Sequence, residues 1–223
     1  MGNEHFPFIQ SSGFLDQEHV PQFWSFLVRK LDVGYQDNVS FRLQLTKFLK
    51  KANPDPDNGP IISSWNEGVG IVNYRGWGDA TGWHKPKFHL DDLGELSGND
   101  KLPIVFSFVC NTGDFGNESN QFCFGEELIT AGTIFNQKGA VAMVGPSDLD
   151  TDTRFNNVIC GAMWDGLLEN KTNELGPALH YGKTAVLHEF EGLVTGTNPT
   201  NIPYFYHHVY GVLGDPSIPI WLQ

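Results

Sequence analysis

Apolar and polar positions fall into blocks along this chain, and the period of the blocks changes partway. Val20 to Leu31 sets Phe23, Phe26, Leu27 and Leu31 at helical spacing. Ser40 to Ala52 reads as a second helix, with a basic C-terminal end that suits the helix dipole. Asn53-Pro54-Asp55-Pro56-Asp57-Asn58-Gly59-Pro60 consists of turn and breaker residues and predicts a boundary. The expected organisation is a helical lead segment, 1–60, followed by a larger unit, 61–223.

Past the boundary the pattern becomes strand, loop, helix, repeated. Ile61 to Glu67 predicts a short helix and Gly70 to Tyr74 (GIVNY) a buried strand. A loop rich in Gly and Trp runs from Arg75 to Pro86, and Asp91 to Leu96 predicts a short helix. Pro103 to Val109 (PIVFSFV) is a second buried strand, Cys110 to Gln121 a polar loop, and Phe122 to Phe135 a helix. Ala140 to Gly145 (AVAMVG) is a third strand, and helices follow over Arg154–Leu168, Pro177–Leu193 and Pro203–Tyr210. The last stretch, Gly211 to Leu222, ends in strand-like Ile218-Pro219-Ile220-Trp221. Near-continuous apolar strands alternating with helices imply an α/β fold whose mostly parallel sheet is covered on both faces. Ligands and catalytic groups gather at the carboxyl ends of such strands. That rule selects the loops after Tyr74 and after Val109.

Composition narrows the function. The 14 basic and 26 acidic residues give a net charge of −12, which repels phosphate backbones and anionic membranes, so no nucleic-acid partner is expected. No apolar run approaches the ~20 residues of a membrane span. The first residues lack the basic and apolar regions of a signal peptide. Three cysteines, Cys110, Cys123 and Cys160, are too few and too odd in number for a disulfide framework.

Cys110 stands out because its strand delivers it to the sheet's carboxyl edge, where a thiol can be reached and activated. A buried structural thiol is the competing reading. The loop Arg75-Gly76-Trp77-Gly78-Asp79-Ala80-Thr81-Gly82-Trp83-His84 has glycines that allow close approach to a ligand, and its N–H groups can form an oxyanion hole; a plain turn is the alternative. Asp79 can orient a histidine, bind a basic substrate or cap the turn. Asp148, Asp150 and Asp152 are spaced like the start of a calcium loop, but Thr153 and Ile159 stand where an EF-hand needs Gly and Glu. An irregular calcium site or a solvated acidic loop remains. His84, His89, Asp91 and Asp92 form a zinc set only if their loop curls, and a metal-assisted hydrolase is the corresponding third reading.

Taken together, Asn73-Tyr74-Arg75-Gly76-Trp77-Gly78 with Gly82-Trp83 resembles the Asn-Tyr-x-Gly-His-Gly stretch and following Trp of the gingipain-type cysteine peptidases. Val109-Cys110-Asn111-Thr112-Gly113-Asp114-Phe115 and Phe122-Cys123-Phe124-Gly125-Glu126 resemble that family's nucleophile segment and the helix after it. Gly139 to Ser147 and Val212 to Ser217 are similar to later landmarks. The resemblance spans about Ile61 to Gln223, with no match seen in residues 1–60. It implies a caspase-like three-layer sandwich, incomplete at the N-terminus, that cleaves peptide bonds in protein or peptide substrates without a cofactor. It also implies an extracellular or cell-surface location. Carried over by residue, Cys110 is the nucleophile and the N–H groups of Gly78 and Cys110 hold the oxyanion.

One position departs from the family. Trp77 stands where the catalytic His is expected, and indole cannot exchange a proton near neutral pH. Losing general acid–base help typically costs about 10²–10⁴ in rate. Either His84, seven residues along the same loop, takes the role, or the domain is an inactive relative that binds peptides or partners through a cleft lined by Trp77, Asp79 and Trp83. His89, His207 and His208 are more remote substitutes.

Overall fold

The computed structural model describes residues 58–98, 100–169, 171–194 and 202–220, together with the backbone of 8–12. The helices expected over Val20–Leu31 and Ser40–Ala52 lie outside the described residues.

A five-stranded sheet organises the molecule. Its strands are β1 (Phe8–Ser12), β2 (Ile71–Arg75), β6 (Ile104–Phe108), β9 (Ala142–Pro146) and β10 (Tyr210–Gly214), adjacent in that order. The first four run parallel, and β10 closes the far edge antiparallel to β9. β1 pairs with β2 along its whole length, from Phe8 opposite Ile71 to Ser12 opposite Arg75, so a piece of the lead segment belongs to the sheet.

β6 and β9 are buried at every position, as continuous apolar strands between two helical layers require. The period-2 alternation divides their side chains between the two cores. Phe106, Phe108 and Val144 face α3 (Thr153–Leu168), α4 (Leu175–Glu189) and α5 (Ile202–Val209). Val72, Tyr74, Val105 and Val109 face α1 (Gly59–Glu67), α2 (Phe124–Thr130) and a small meander of β3 (Gly78–Asp79), β4 (Gly82–His84) and β5 (Lys87–His89). The result is the expected caspase-like three-layer arrangement around a mostly parallel sheet.

Local chemistry altered several expected elements. The helix expected over Phe122–Phe135 stops at Thr130, because Gly132 takes φ +84° and opens a hairpin of β7 (Gly132–Thr133) and β8 (Asn136–Gln137). The short helix expected over Asp91–Leu96, directly after β5, is a 3-10 helix over Leu90–Glu95, and Asp92 closes its start by accepting the His89 N–H at 2.7 Å. The expected loop from Arg75 to Pro86 carries most of the meander. The terminal strand lies at Tyr210–Gly214, upstream of the Ile218-Pro219-Ile220 stretch, where Pro219 makes a single bridge to Glu174.

Candidate active site

Both loops chosen from the sequence leave the carboxyl ends of adjacent parallel strands, β2 and β6. The turn after β6 is built by Asn111, whose φ of +57° is one that Asn tolerates better than most residues. Asn111 donates its N–H to Asp148 O at 3.0 Å, and Gly113 donates to Pro146 O at 2.9 Å, so the loop is tied to the end of β9. Below it the Ser107 and Thr112 hydroxyls sit 2.9 Å apart. Cys110 therefore occupies a fixed position at the sheet edge, half-buried, with its Sγ directed at Thr151 O, 3.4 Å away.

The other two thiols differ in setting. Cys123 starts α2, and burial pushes its thiol up to about 11. Cys160 is fully enclosed beneath the sheet and is pushed up to about 12 by the same cause. All three are free, and only Cys110 combines partial exposure with the strand-end position.

Gly78 packs against the strand that carries Cys110. A Cβ there would meet Gly82 O at 2.6 Å and Val109 Cγ2 at 3.1 Å. His84 donates its N–H to Trp77 O at 2.9 Å, which places Gly78 opposite Trp83 at a non-hydrogen-bonded position of the hairpin. The Gly78 N–H is thereby turned away from β4.

Trp77 is 57% exposed, an isolated indole on the surface of the first loop. Trp83 does not line a cleft: it is 1% exposed, stacked on Tyr74 at 4.4 Å and donates its Nε1–H to Ser107 Oγ at 3.0 Å. Strand alternation sends Trp83 inward and leaves its neighbour His84 outside. The His84 ring then meets Asp79, with Nε2 3.1 Å from Oδ2. Burial opposes ionisation of Asp79, but the Thr81 hydroxyl and N–H and the His84 ring outweigh it and hold the carboxyl below its usual range. The structure thus joins His84 to Asp79 and, at a ring-centroid distance of 5.7 Å, to His89. Among the described residues no hydrogen bond, ion pair or ring contact joins His84 to Cys110.

Around Cys110 stands a group that the sequence reading passed over. Arg75, expected in the loop, is the last residue of β2 and only 2% exposed. Its Nε donates to Asn157 Oδ1 at 2.7 Å, Nη1 to Phe108 O at 2.8 Å and Nη2 to Thr153 O at 2.9 Å. Tyr210 donates to Asn156 Oδ1 at 2.7 Å, and Asn156 in turn reaches Thr151 Oγ1 at 3.4 Å. The one available signal was an arginine directly after an apolar strand.

The metal readings gain no geometry. Asp148 accepts from the N–H of Asp150, and Asp152 caps α3 by accepting from Arg154 N–H at 2.7 Å. Among the described residues no three His, Cys, Asp or Glu side chains form a group able to hold a metal ion.

A half-buried cysteine at the carboxyl end of a central parallel strand, beside a glycine loop, in a three-layer sandwich has the build of the caspase-like fold of cysteine peptidases. Residues 13–221 match peptidase family C25, and the chain belongs to that family. The match begins upstream of the Asn53–Pro60 segment, so the kinship reaches further back than the motifs alone indicate. Gingipain R2 of Porphyromonas gingivalis is 29% identical over 130 residues, which is 55% of this chain and 17% of that protein. Gingipain R1 of the same organism has equal identity over equal length. The crystal structure of the Arg-specific cysteine proteinase gingipain R superposes with a TM-score of 0.69 at 20% identity, covering 96% of this chain and 46% of gingipain R. The complex of the pro- and mature domains of the Porphyromonas gingivalis enzyme gives the same score and identity. The chain thus spans under half the length of these solved chains and under a fifth of gingipain R2. Among the described residues no helix is long and apolar enough to cross a membrane.

Proposed function

We propose that this chain hydrolyses peptide bonds through Cys110. The observation that carries the reading is the placement of a half-buried thiol on the turn after β6, while the other two thiols are sealed in the core. In this reading the Cys110 thiolate attacks the scissile carbonyl carbon and a sulfur–carbon bond forms. The Gly78 and Cys110 N–H groups receive the oxyanion. The carbon–nitrogen bond then breaks, and the leaving amine takes a proton from His84, which Asp79 orients. Water attacks the resulting thioester: its hydroxyl bonds to the acyl carbon, its other proton returns to His84, and the sulfur–carbon bond breaks to release the carboxylic acid and the Cys110 thiolate. Every step draws on protein groups and water. The substrates are proteins or peptides. The kinship with gingipains supports an extracellular or cell-surface setting.

The test is turnover of a mixed fluorogenic peptide library under reducing conditions. Cleavage that disappears in Cys110→Ala and falls in His84→Ala supports the proposal. Cleavage that survives Cys110→Ala, or that chelators abolish while alkylation leaves it intact, overturns it.

A second reading is a peptide-binding relative without turnover. It is favoured by Trp77, which exposes 57% of its surface at the family's histidine position while His84 is engaged with Asp79. It predicts peptide binding that Trp77→Ala weakens, with no cleavage at any pH.

A further inference from the structure

Four large apolar side chains stand exposed at the carboxyl end of the sheet: Trp77 (57%), Phe115 (68%), Phe122 (39%) and Leu149 (59%). Single exposed apolar residues are ordinary on a protein surface, whereas a group of them gathered at one end marks a binding surface. Backbone contacts tie each of the four to the Cys110 turn. Leu149 lies between Asp148, whose carbonyl accepts the Asn111 N–H at 3.0 Å, and Thr151, whose carbonyl accepts the Cys110 S–H at 3.4 Å. Phe115 donates its N–H to Gly113 O at 3.0 Å, and Gly113 is itself held by Pro146 O. Trp77 precedes Gly78, which packs on Val109, the residue before Cys110. Phe122 belongs to a segment that reaches both loops: Phe124 donates to Ala80 O at 2.8 Å and Gly125 to Thr112 O at 2.9 Å. Since β2 and β9 lie on either side of β6, Trp77 and Leu149 flank the strand end that carries Cys110.

The carboxylates on the same loops are turned to their own backbone. Asp79 accepts from the Thr81 N–H, Asp114 from that of Gly116, Asp148 from that of Asp150 and Asp152 from that of Arg154. None of the four is buried. Selective recognition of a substrate cation needs a desolvated carboxylate, because an exposed ion pair contributes little. An apolar side chain needs only apolar surface to cover, and these loops provide it.

We propose that Trp77, Phe115, Phe122 and Leu149 form the specificity surface of the Cys110 site. It takes an aromatic or branched aliphatic side chain on the substrate residue that supplies the scissile carbonyl. The inference rests on the Cys110 reading and deepens it. Binding frees water from the four side chains and from the apolar side chain they cover. Their role is binding alone: no bond forms or breaks at them.

The test is kcat/KM under reducing conditions on fluorogenic peptides that differ only in that residue, which is Phe, Leu, Arg or Asp. The Phe and Leu peptides are expected to exceed the Arg and Asp peptides by about tenfold or more. Phe115→Ser and Leu149→Ser should each lower the ratio of the Phe to the Arg peptide about fivefold, through KM. Both positions are exposed, so thermal midpoints should stay native. Phe135→Ser is the control. Phe135 is 93% exposed on the β7–β8 hairpin, beside Gly98 and Lys101, which lead into β6 at its opposite end; its variant should keep the native ratio. A preference for Arg, no preference, or an equal drop in Phe135→Ser overturns the proposal. Labelled copies of the same peptides are also titrated against Cys110→Ala and read by fluorescence anisotropy. Tighter binding of the Phe and Leu peptides, with no cleavage by the native chain, retains the apolar surface and rejects hydrolysis by Cys110. Cleavage with an Arg preference does the reverse. Absence of both cleavage and selective binding overturns the inference.

Discussion

Trp77→His is the substitution that bears most directly on activity. The position is 57% exposed, so little apolar burial is lost. What the residue gives the fold comes from its backbone: its carbonyl accepts from the Tyr74 hydroxyl at 2.8 Å and from the His84 N–H at 2.9 Å. A histidine keeps both bonds, so stability should change by no more than about 0.5 kcal/mol, as for surface changes generally. The imidazole supplies the proton chemistry that indole lacks. General acid–base catalysis typically contributes about 10²–10⁴ in rate, equivalent to about 2.7–5.4 kcal/mol at ~1.36 kcal/mol per decade. The assay is kcat/KM on a fluorogenic peptide library under reducing conditions. His84→Ala, the double variant with Trp77→His, and each of these combined with Cys110→Ala are compared. With the donor proposed at His84 removed, Trp77→His should restore kcat/KM at least about a hundredfold, a gain abolished by Cys110→Ala. A double variant with native thermal stability and no gain over His84→Ala refutes the reasoning, because a histidine at position 77 would then not serve the leaving amine.

Three further outcomes follow from the packing and the titrating groups. Gly78→Ala forces a Cβ to 2.6 Å from Gly82 O. It should destabilise the domain by about 1–3 kcal/mol; an unchanged denaturation midpoint would contradict the close packing. Trp83→Phe removes the bond to Ser107 and leaves a partial cavity among Tyr74, Phe88 and Phe124. A loss of about 2–3 kcal/mol in chemical denaturation is expected, whereas a loss near zero would place the indole outside the core. Burial holds His89 and His207 below the ordinary imidazole range. The unfolded chain therefore takes up protons that the folded one resists. Their contribution is fully present above about pH 6.5 and is lost as pH falls from there toward the depressed folded values. The Tm should drop between pH 7.5 and 5, less steeply in His207→Gln, and parallel curves for the two proteins would refute this assignment.

The elements and the strand-end position of Cys110 were legible in the chain because they depend on local order. PIVFSFV can be buried only as a strand between two layers, and the turn residues after it fix Cys110 at the edge. Asn73-Tyr74 and Gly76-x-Gly78 marked the neighbouring loop for the same reason. Side-chain direction was not legible. Trp83 and His84 are adjacent, yet one step of strand alternation sent the first into the core and the second out to Asp79. The hairpin after Thr130 escaped notice because an apolar Ile134-Phe135 pair mimics a continuing helix until Gly132 takes a positive φ. Arg75 was the largest omission. Nothing local separates a loop arginine from one enclosed under a sheet; only Asn157, the carbonyls of Phe108 and Thr153, and the burial they share reveal it. The sequence by itself determined an α/β sheet with a thiol at its carboxyl edge, since both follow from period and punctuation along the chain. Only the tertiary structure decided that a buried guanidinium is enclosed at that sheet edge, because residues 33 to 82 positions apart meet there through packing that no spacing encodes.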